Sequence, residues 1–530
     1  MKYIKSIVAS LAVAALVSSC GDPSDFGTIN DTPNNPTKSF TYMLFKYACL
    51  NTRNNIMTSS SYDPWEMEWT GYLSEAKNNQ YGPLGVTYDL SMGGYYTGCI
   101  KNLTKIIELN QDEETKNTVA VTKFGSNANQ IAASITLRAY YYMHLTDIQG
   151  PIVYSEALGG LNKDDQNFTP KYDTQKDVYA GLDKELKDAY SMFDTSSDLT
   201  ADDILLGGDI KKWKKFNASL RMLLAIKLAD VDPTTGAARF SAAFNDGGME
   251  KADDSMTYTF DESFANAWFY AIGNEGYASR SNYFAPNKVF VDALKEYKDP
   301  RLFTYCTVGA SRYAYLGKVG TDEYDFDQYF GMRHGLESNG AVGTEKEGKC
   351  STAPKYCEKT ATYGLITAAR VLLVEAEAAT LGWINADAAA LYAKGIQASF
   401  DFEASSDKNF AEFQDATEYI AAHPLPADKD AALKEIIMQR FLAGFLTDGV
   451  ESWSDWRRYN IPTLPIYQGQ VNEGNLRYPQ RLAIYSNDYA TNADQVQAAL
   501  ADIQGPDDPW SRVWWDVKDN ESPLGEGVSK

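Results

Sequence analysis

The sequence has little of what metal and nucleophile chemistry requires. It contains three histidines, His144, His334 and His423, in 530 residues. None of them forms an HExxH pair, the helical spacing that binds catalytic zinc. No GxSxG turn is present to expose a nucleophilic serine. These absences predict no catalytic residue, no metal and no cofactor. A carboxylate pair of the glycosidase kind stays open, because 71 acidic residues make chance pairs common.

Positive charge is scarce as well. Lys and Arg number 49 against 71 Asp and Glu, which gives a formal net charge of −22. Binding to nucleic acid phosphates needs clustered Lys and Arg, so the balance predicts no nucleic acid partner. A strongly negative surface is typical of an exported protein that is kept soluble by its charge.

Cysteine is too infrequent to staple the fold. There are six cysteines, and setting Cys20 apart leaves five, enough for at most two disulfides and one free thiol. Cys350 and Cys357 are the only close pair, and whether they are joined stays open. The hydrophobic core must therefore supply most of the stability.

Long apolar runs are missing except at the start of the chain. Lys2 and Lys5 precede an apolar stretch at residues 7–17, which is shorter than the roughly 20 residues of a spanning helix. Residues 1–19 have the layout of a signal peptide. Because Cys20 follows Ser18 and Ser19 directly, the site resembles a bacterial lipobox and predicts lipidation of Cys20. Simple secretion with a coincidental cysteine is the alternative.

The remaining chain is predicted to be one domain behind a tether. Residues 20–40 are rich in Gly, Pro, Asn and Asp and predict a tether and first loops. Residues 41–530 are predicted to form a single binding domain. Its fold class is all-α, because helical periodicity dominates and alternating strand patterns are few. Residues 256–260 are one strand candidate.

Several helices are predicted from spacing and end signals. Ile131, Ile135, Ala139, Tyr142 and Leu145 form one predicted face of a helix. A second helix is predicted to follow Thr174, with Asp177 three residues on as in a capping box. It should bury a stripe of Val178, Leu182, Leu186 and Ala189.

Further helices are predicted towards the C-terminus. One covers residues 212–233 and ends at Pro233; another covers 432–449 and ends near Gly449. Residues 368–383 and 387–402 predict an Ala-rich helix pair of the tetratricopeptide type. Long loops at 60–95, 258–285 and 311–360 exceed what connections require, and loops of that kind usually carry binding.

Ordered motifs along the chain resemble a known family. They are NDTPNNPTK, RAYYYMHLTDIQGPIVYSEAL, PKYDTQKDVYAGLDKELKDA, KWKKFNASLRMLLAIKLADVDP, YFAPNKVFVDALKEYKDPRL, IIMQRFLAGFLTDGVESWSDWRRYNIPTL, RYPQRLAIYSNDYATNADQVQAAL and the final WWD at 514–516. In order and spacing the chain is similar to the SusD/RagB-like nutrient-binding outer-membrane lipoproteins.

The resemblance implies a fold, a location and a partner. The fold is built of tetratricopeptide-like helix pairs, with a second, irregular, loop-rich half that forms the ligand face. The implied location is the cell surface, on the outer membrane. Asp22 and Asp25, which follow the lipid cysteine, look like the signal that targets such lipoproteins there. The partner is a SusC-like TonB-dependent outer-membrane transporter.

Two motifs that suggest other chemistry are incomplete. Residues 343–350, GTEKEGKC, nearly spell a phosphate-binding loop, but Cys350 stands where a Ser or Thr hydroxyl must hold magnesium. Residues 322–327, DEYDFD, could offer oxygens to calcium, yet they lack the glycine and distal glutamate of a helix-loop-helix site. A solvated acidic loop is the preferred interpretation, and calcium stays open.

Aromatic residues divide into core and binding candidates. Packing is predicted for Trp453, Trp456, Trp514 and Trp515, and structural ion pairing for Arg457 and Arg458. Ligand binding is predicted where loop rings lie beside polar donors, since a sugar face covers a ring while its hydroxyls take hydrogen bonds. The predicted binding residues are Trp65, Trp69, Tyr81, Trp268, Tyr270, Asn274, Tyr277, Arg280 and Tyr283.

The leading hypothesis is a non-catalytic lipoprotein that captures a nutrient, most simply a glycan, and delivers it to the transporter. A surface-tethered glycoside hydrolase is the alternative, and a purely structural transporter subunit is a third. The ligand itself, glycan, peptide or other nutrient, is not specified. The segments 62–88 and 266–283 are expected to converge on one face as an aromatic platform.

Overall fold

The structure, a computed structural model, consists mainly of helices packed in consecutive pairs. It describes residues 39–52, 65–75, 91–162, 164–262, 284–308, 324–334, 350–447, 449–466, 477–519 and 522–525. The helices of the first half are α1 Thr41–Thr52, α2 Trp65–Trp69, α3 Lys101–Gln111, α4 Val119–Thr122, α5 Asn127–Gln149, α6 Gln175–Met192, α7 Ile210–Ile226 and α8 Pro233–Asp246. A π-helical turn, Tyr95–Ile100, leads into α3.

The second half contains the remaining helices and four of the six short strands. Its helices are α9 Lys288–Glu296, α10 Leu302–Tyr305, α11 Pro354–Cys357, α12 Ala368–Leu381, α13 Ala388–Ser406, α14 Thr417–Ala422, α15 Lys429–Ala443, α16 Gly449–Tyr459, α17 Asp488–Thr491 and α18 Ala493–Ala499. The strands are β1 Leu73–Glu75, β2 Met256–Thr259, β3 Phe284–Pro286, β4 Cys306–Val308, β5 Cys350–Thr352 and β6 Thr362–Ile366. They pair antiparallel as β1–β3, β2–β6 and β4–β5.

The helix pairs are α5 with α6, α7 with α8, and α12 with α13. Further contacts of α7 with α6 and with α12 join the pairs into one scaffold. Residues 41–530 form one compact unit. The all-α class with tetratricopeptide-like helix pairs and an irregular, loop-rich second half is confirmed. No helix among the described residues is long and apolar enough to span a bilayer.

A side chain caps the start of eight helices, α5 to α9, α12, α13 and α15. Thr174 accepts a hydrogen bond from the Asp177 backbone N–H (3.1 Å), and α6 begins at the next residue, as predicted. The predicted stripe of α6 is fully buried. The pair α12–α13 and strand β2 also lie where the sequence predicts them.

Three predictions about helix ends and faces are wrong. Helix α7 ends at Ile226, and Pro233 is the first residue of α8, where its missing N–H costs nothing. Helix α15 ends at Ala443, and Gly449 starts α16. Proline and glycine punctuate helices at either end, so the signals were sound but assigned to the wrong helix.

The predicted face of α5 is the third error. Ile131 and Ile135 are only half-buried, whereas most of the other side chains of α5 are buried. The cause is the central position of α5, which contacts α3, α6, α7 and α16. A helix covered on several sides has no single apolar stripe for periodicity to find.

A buried polar network joins this central helix to the C-terminal motifs. The Lys227 ammonium lies 2.6 Å from Asp147 Oδ2 and also pairs with Glu451. The Trp515 indole N–H donates to Asp147 Oδ1 (3.0 Å). Because each ion is buried with a partner of opposite sign, the network holds α5, α7 and α16 in one arrangement.

Candidate ligand-binding face

The ends of the long loops gather at one place in the fold. In the β1–β3 ladder Glu75 is the register partner of Phe284, and in the β4–β5 ladder Val308 is the partner of Cys350. Residues 76–90 follow β1, residues 263–283 precede β3, residues 309–323 follow β4 and residues 335–349 precede β5; these four segments lie outside the described residues. Four segments that the sequence predicts as loops therefore start or finish at two short ladders. We call these two ladders, together with Asn287 and residues 324–334, the loop-root cluster.

Asn287 links the cluster to the helical scaffold. Its side-chain amide donates to Ser74 Oγ (2.8 Å), and its Oδ1 accepts the Val289 N–H (2.7 Å) at the start of α9. The Ser74 hydroxyl in turn donates to the Met332 carbonyl (2.7 Å). One side chain thus caps a helix and joins two loop roots. No local sequence pattern predicts this double role.

Backbone pairing completes the cluster. Met332 N–H donates to the Pro286 carbonyl, and Lys288 N–H donates to the Met332 carbonyl, both at 2.8 Å. His334 Nε2–H donates to the Glu68 carbonyl (3.1 Å), which connects residues 324–334 to α2. Burial lowers the pKa of His334 to about 4, so the ring is neutral at physiological pH.

The structure places two of the predicted binding residues in the core. Trp65 and Trp69 are 1% and 0% exposed. Their ring centroids lie 5.4 and 5.2 Å from that of Trp453, and 4.7 Å from each other. The prediction that these rings stand in a loop and stack on a ligand is wrong in this structure, because their faces are covered by protein. Both rings belong to the packed core beneath the loop-root cluster.

The other predicted binding residues lie outside the described residues. They are Tyr81, Trp268, Tyr270, Asn274, Tyr277, Arg280 and Tyr283. Of the two segments that carry them, one follows Glu75 and the other precedes Phe284. Because these two residues face each other in the ladder, both segments are rooted at adjacent positions.

The tryptophans of the C-terminal motifs have the predicted packing roles. Trp453, Trp456 and Trp515 are buried, and half-buried Trp514 packs edge-on against Tyr179. Arg458 forms the predicted ion pair, 2.6 Å from Glu377 Oε1.

Arg457 has a different environment from its neighbour. Its guanidinium carbon lies 3.7 Å from the centroid of the Trp453 ring and 4.5 Å from that of Trp515. It also donates to the backbone carbonyls of Asp147 and Gln480. Burial lowers the pKa of Arg457 to about 10. The residue therefore fastens the C-terminal motif to α5 mainly through stacking and hydrogen bonds.

The acidic segment that was weighed as a calcium site has local structural roles where it is described. The Asp325 carboxylate accepts hydrogen bonds from the Asp327 N–H (3.0 Å) and from Gln328 Nε2 (2.9 Å). No group of three potential metal ligands occurs among the residues that the structure describes. Among the described residues, Cys49, Cys99, Cys306 and Cys350 form no disulfide.

An aromatic cleft beside residues 324–334 was missed by sequence reasoning. It has a volume of about 750 Å³ and lies between α10, α14 and the 3-10 turn Lys408–Phe413. Its rings and carboxylates are Tyr297, Phe303, Tyr324, Phe326, Phe400, Phe413, Tyr419, His423, Glu296, Glu412, Asp415 and Glu418. Tyr324 is 44% exposed. No sequence signal joins these rings, because they come from four separate segments.

The described residues define a protein of consecutive helix pairs with two short antiparallel ladders in the loop-root cluster. The family model described as "Starch-binding associating with outer membrane" (SusD-like) matches residues 33–485. The chain therefore belongs to the SusD-like family, which confirms the resemblance. None of the curated proteins matches the chain.

Solved structures agree on the fold. A SusD homologue from Bacteroides fragilis superposes with a TM-score of 0.73 at 22% identity, covering 91% of this chain and 100% of that one. A chitin-binding SusD homologue from Flavobacterium johnsoniae superposes with a TM-score of 0.71 at 22% identity, covering 90% of this chain and 99% of that one. A SusD homologue from Bacteroides uniformis superposes with a TM-score of 0.73 at 21% identity, covering 90% of this chain and 99% of that one. At these identities the likeness establishes the fold alone.

Proposed function

We propose that this protein is a non-catalytic, surface-tethered lipoprotein that captures a glycan and delivers it to a SusC-like TonB-dependent transporter. The family description supplies the ligand class and the membrane association. Chitin binding by a structural neighbour makes an oligosaccharide of that type a second probe. A lipid on Cys20 is the proposed anchor.

The pairing of Glu75 with Phe284 is the observation that carries the proposed ligand face. It roots the two segments that are rich in aromatic and polar residues beside each other. The proposed stacking rings are Tyr81, Trp268, Tyr270, Tyr277 and Tyr283, and the proposed hydroxyl-binding donors are Asn274 and Arg280. Trp65 and Trp69 support this face from the core.

The rings and donors match what a sugar requires. A pyranose ring has an apolar face that covers an aromatic ring, while its hydroxyls exchange hydrogen bonds with amide and guanidinium groups. The aromatic cleft beside residues 324–334 offers rings and carboxylates next to the same cluster and is a candidate extension of the face.

Binding to a glycan panel tests the function directly. Starch-derived and chitin-derived oligosaccharides are incubated with purified protein, and both retention and new reducing ends are measured. The proposal expects retention without new ends. New reducing ends in proportion to protein would support the hydrolase alternative, and failure to retain any glycan would leave the transporter-subunit hypothesis.

The anchor and the partner have separate tests. Cys20→Ala should abolish the lipid at the mature N-terminus, since stable anchoring depends on acyl chains. In detergent partitioning the variant should then behave as a soluble protein rather than a membrane-attached one. In mild detergent the parent should co-purify with a large outer-membrane β-barrel. An unmodified mature N-terminus other than Cys20, or isolation only as a free monomer in cells that express the transporter, would contradict these parts.

A further inference from the structure

A second cleft lies in the helix-pair scaffold, formed by residues of a different set. It has a volume of about 390 Å³ and is formed by the end of α8, the turn that follows it, and the pair α12–α13. Phe244, Leu372, Leu391 and Ala398 provide its apolar walls. A cavity of this size admits a small molecule of a few heavy atoms together with water.

Glu375 of α12 lies in this cleft with an unusual lack of partners. The residue is 6% exposed, and no described residue donates a hydrogen bond to its carboxylate. A Cβ built on Gly248 would lie 3.3 Å from Glu375 Oε1, so the carboxyl group faces the glycine turn. Glu377, two residues on, pairs with Arg458 and Arg440 instead. The difference sets Glu375 apart from a carboxylate that serves the fold.

Burial explains the charge state of Glu375. It raises the pKa of this carboxyl group to about 8, with a smaller contribution from the negative charge of Glu250. Lys394 opposes the shift. Without a cation beside it, the Glu375 carboxyl group therefore holds a proton at neutral pH, and a bound cation would favour release of that proton.

The other charged groups of the cleft are mostly engaged. Glu250 pairs with Lys215 at 2.9 Å, and Lys251 lies 3.9 Å from Asp253. The Asp401 carboxylate accepts hydrogen bonds from the side chains of Gln397 and Gln414. Lys394 is exposed and, among the described residues, has no ion pair.

We propose that this cleft binds a small zwitterion, with its ammonium group at Glu375 and its carboxylate at Lys394. An ammonium group supplies both the positive charge and the donors that the buried carboxylate lacks. Lys394 and Lys251 disfavour a polycation at the mouth of the cleft and favour an anionic second end. The chemical class is therefore an amino acid or ω-amino acid rather than a basic polymer. The site is independent of the proposed glycan face.

Binding of this kind is coupled to proton release. Because the ammonium group binds the ionised carboxyl, each bound ligand releases a proton below the pKa of Glu375. Affinity should rise about tenfold per pH unit below pH ~8 and level off above it. A hydroxyl-bearing ligand bonded to the protonated carboxyl would show no such rise.

Calorimetry on the full mature chain tests the proposal with 4-aminobutyrate as the probe. Butylamine lacks the carboxylate, butyrate lacks the ammonium group, and 4-hydroxybutyrate replaces that group by a hydroxyl. Titrations at about pH 6.5 and 8.5, in two buffers of different ionisation enthalpy, report proton release. We expect binding of 4-aminobutyrate, weaker binding of butylamine, and no binding of the other two.

Two matched variants locate the site. Glu375→Gln should weaken binding at pH 8.5 by about tenfold or more and remove the pH dependence, since a charge-assisted hydrogen bond is lost. Glu403→Gln removes another buried glutamate of the scaffold, which is partnered by Lys355, and should leave binding unchanged. Lys394→Gln should abolish the preference for 4-aminobutyrate over butylamine.

Three results would overturn the proposal. They are no heat with any amine at millimolar concentration, equal binding by Glu375→Gln, and binding without proton release at pH 6.5. The last measurement uses the unmodified protein, so it stands even if a variant folds poorly. None of these outcomes bears on the glycan panel, because the two sites share no residue.

Discussion

The helix-pair scaffold and the loop-root cluster are stabilised in different ways. In the scaffold, helices such as α5, α7 and α12 bury continuous apolar surfaces, and buried ion pairs such as Lys227–Asp147 join them. In the cluster, two ladders of three register pairs each and a few side-chain bonds around Asn287 connect loops that are distant in sequence. A scaffold of the first kind resists local change, whereas in the second a few hydrogen bonds hold together the ends of segments that are far apart in the sequence. Loops that carry binding on a rigid frame are the expected use of this arrangement.

Breaking the scaffold at its polar centre should have the largest effect on stability. Lys227→Met leaves Asp147 and Glu451 buried without their cation, and we expect a loss of about 3–5 kcal/mol in the free energy of unfolding. Urea denaturation measures it. Lys184→Met, which breaks an exposed pair with Asp188, is the control and should cost under about 0.5 kcal/mol. Similar losses in the two variants would show that the buried network is not what joins the scaffold.

A pH series on Glu375→Gln examines a buried carboxyl group that accepts no hydrogen bond from any residue the structure describes. The pKa of Glu375 is raised from its ordinary 4.5 to about 8 by burial, so the folded state binds the proton more tightly than the unfolded state. Its stability contribution is therefore present below about pH 4.5 and is lost as the pH rises through about 8. The variant should gain about 2–4 kcal/mol over the parent at pH 9 and nothing at pH 4. A gain that does not change with pH would contradict the burial of an ionisable group.

Asn287→Ala tests the connection between the loop-root cluster and the scaffold, and its expected effect on stability is smaller. Loss of a helix cap and of the bond to Ser74 should cost about 1–2 kcal/mol of unfolding free energy. It should also weaken glycan binding several-fold, because the loop roots lose their connection. Thr174→Ala removes a cap from α6 in the scaffold and should cost about 1 kcal/mol without changing glycan affinity. Equal binding by both variants would mean that the roots do not position the ligand face.

Sequence reasoning reached the scaffold because its signals are local. A cap such as Thr174 and a stripe such as Val178–Leu182–Leu186–Ala189 are written within one helix. It failed for α5, whose burial on several sides comes from helices far away in the chain. It also assigned Pro233 and Gly449 to helix ends, since these residues are compatible with either side of a helix boundary.

The candidate site could be anticipated only in part. Loop length and composition predict that two segments carry binding, and that stays a prediction. The register of Glu75 with Phe284, which places their ends side by side, could not be predicted because it joins residues more than 200 positions apart. Trp65 and Trp69 show the limit most clearly. Both follow a polar segment in the sequence, yet α2 turns their rings towards Trp453. The aromatic cleft near residues 324–334 was not predictable, because its rings come from segments with no shared pattern.

The most direct measurement compares Trp268→Ala with Trp69→Ala by melting curves and glycan calorimetry. If the ligand face lies on the segments rooted at Glu75 and Phe284, Trp268→Ala melts as the parent does and loses over about 1 kcal/mol of binding free energy. Trp69→Ala, a core ring, instead loses about 3–5 kcal/mol of stability. If Trp268→Ala melts far lower than the parent, or binds the glycan with unchanged affinity, the proposed ligand face is contradicted.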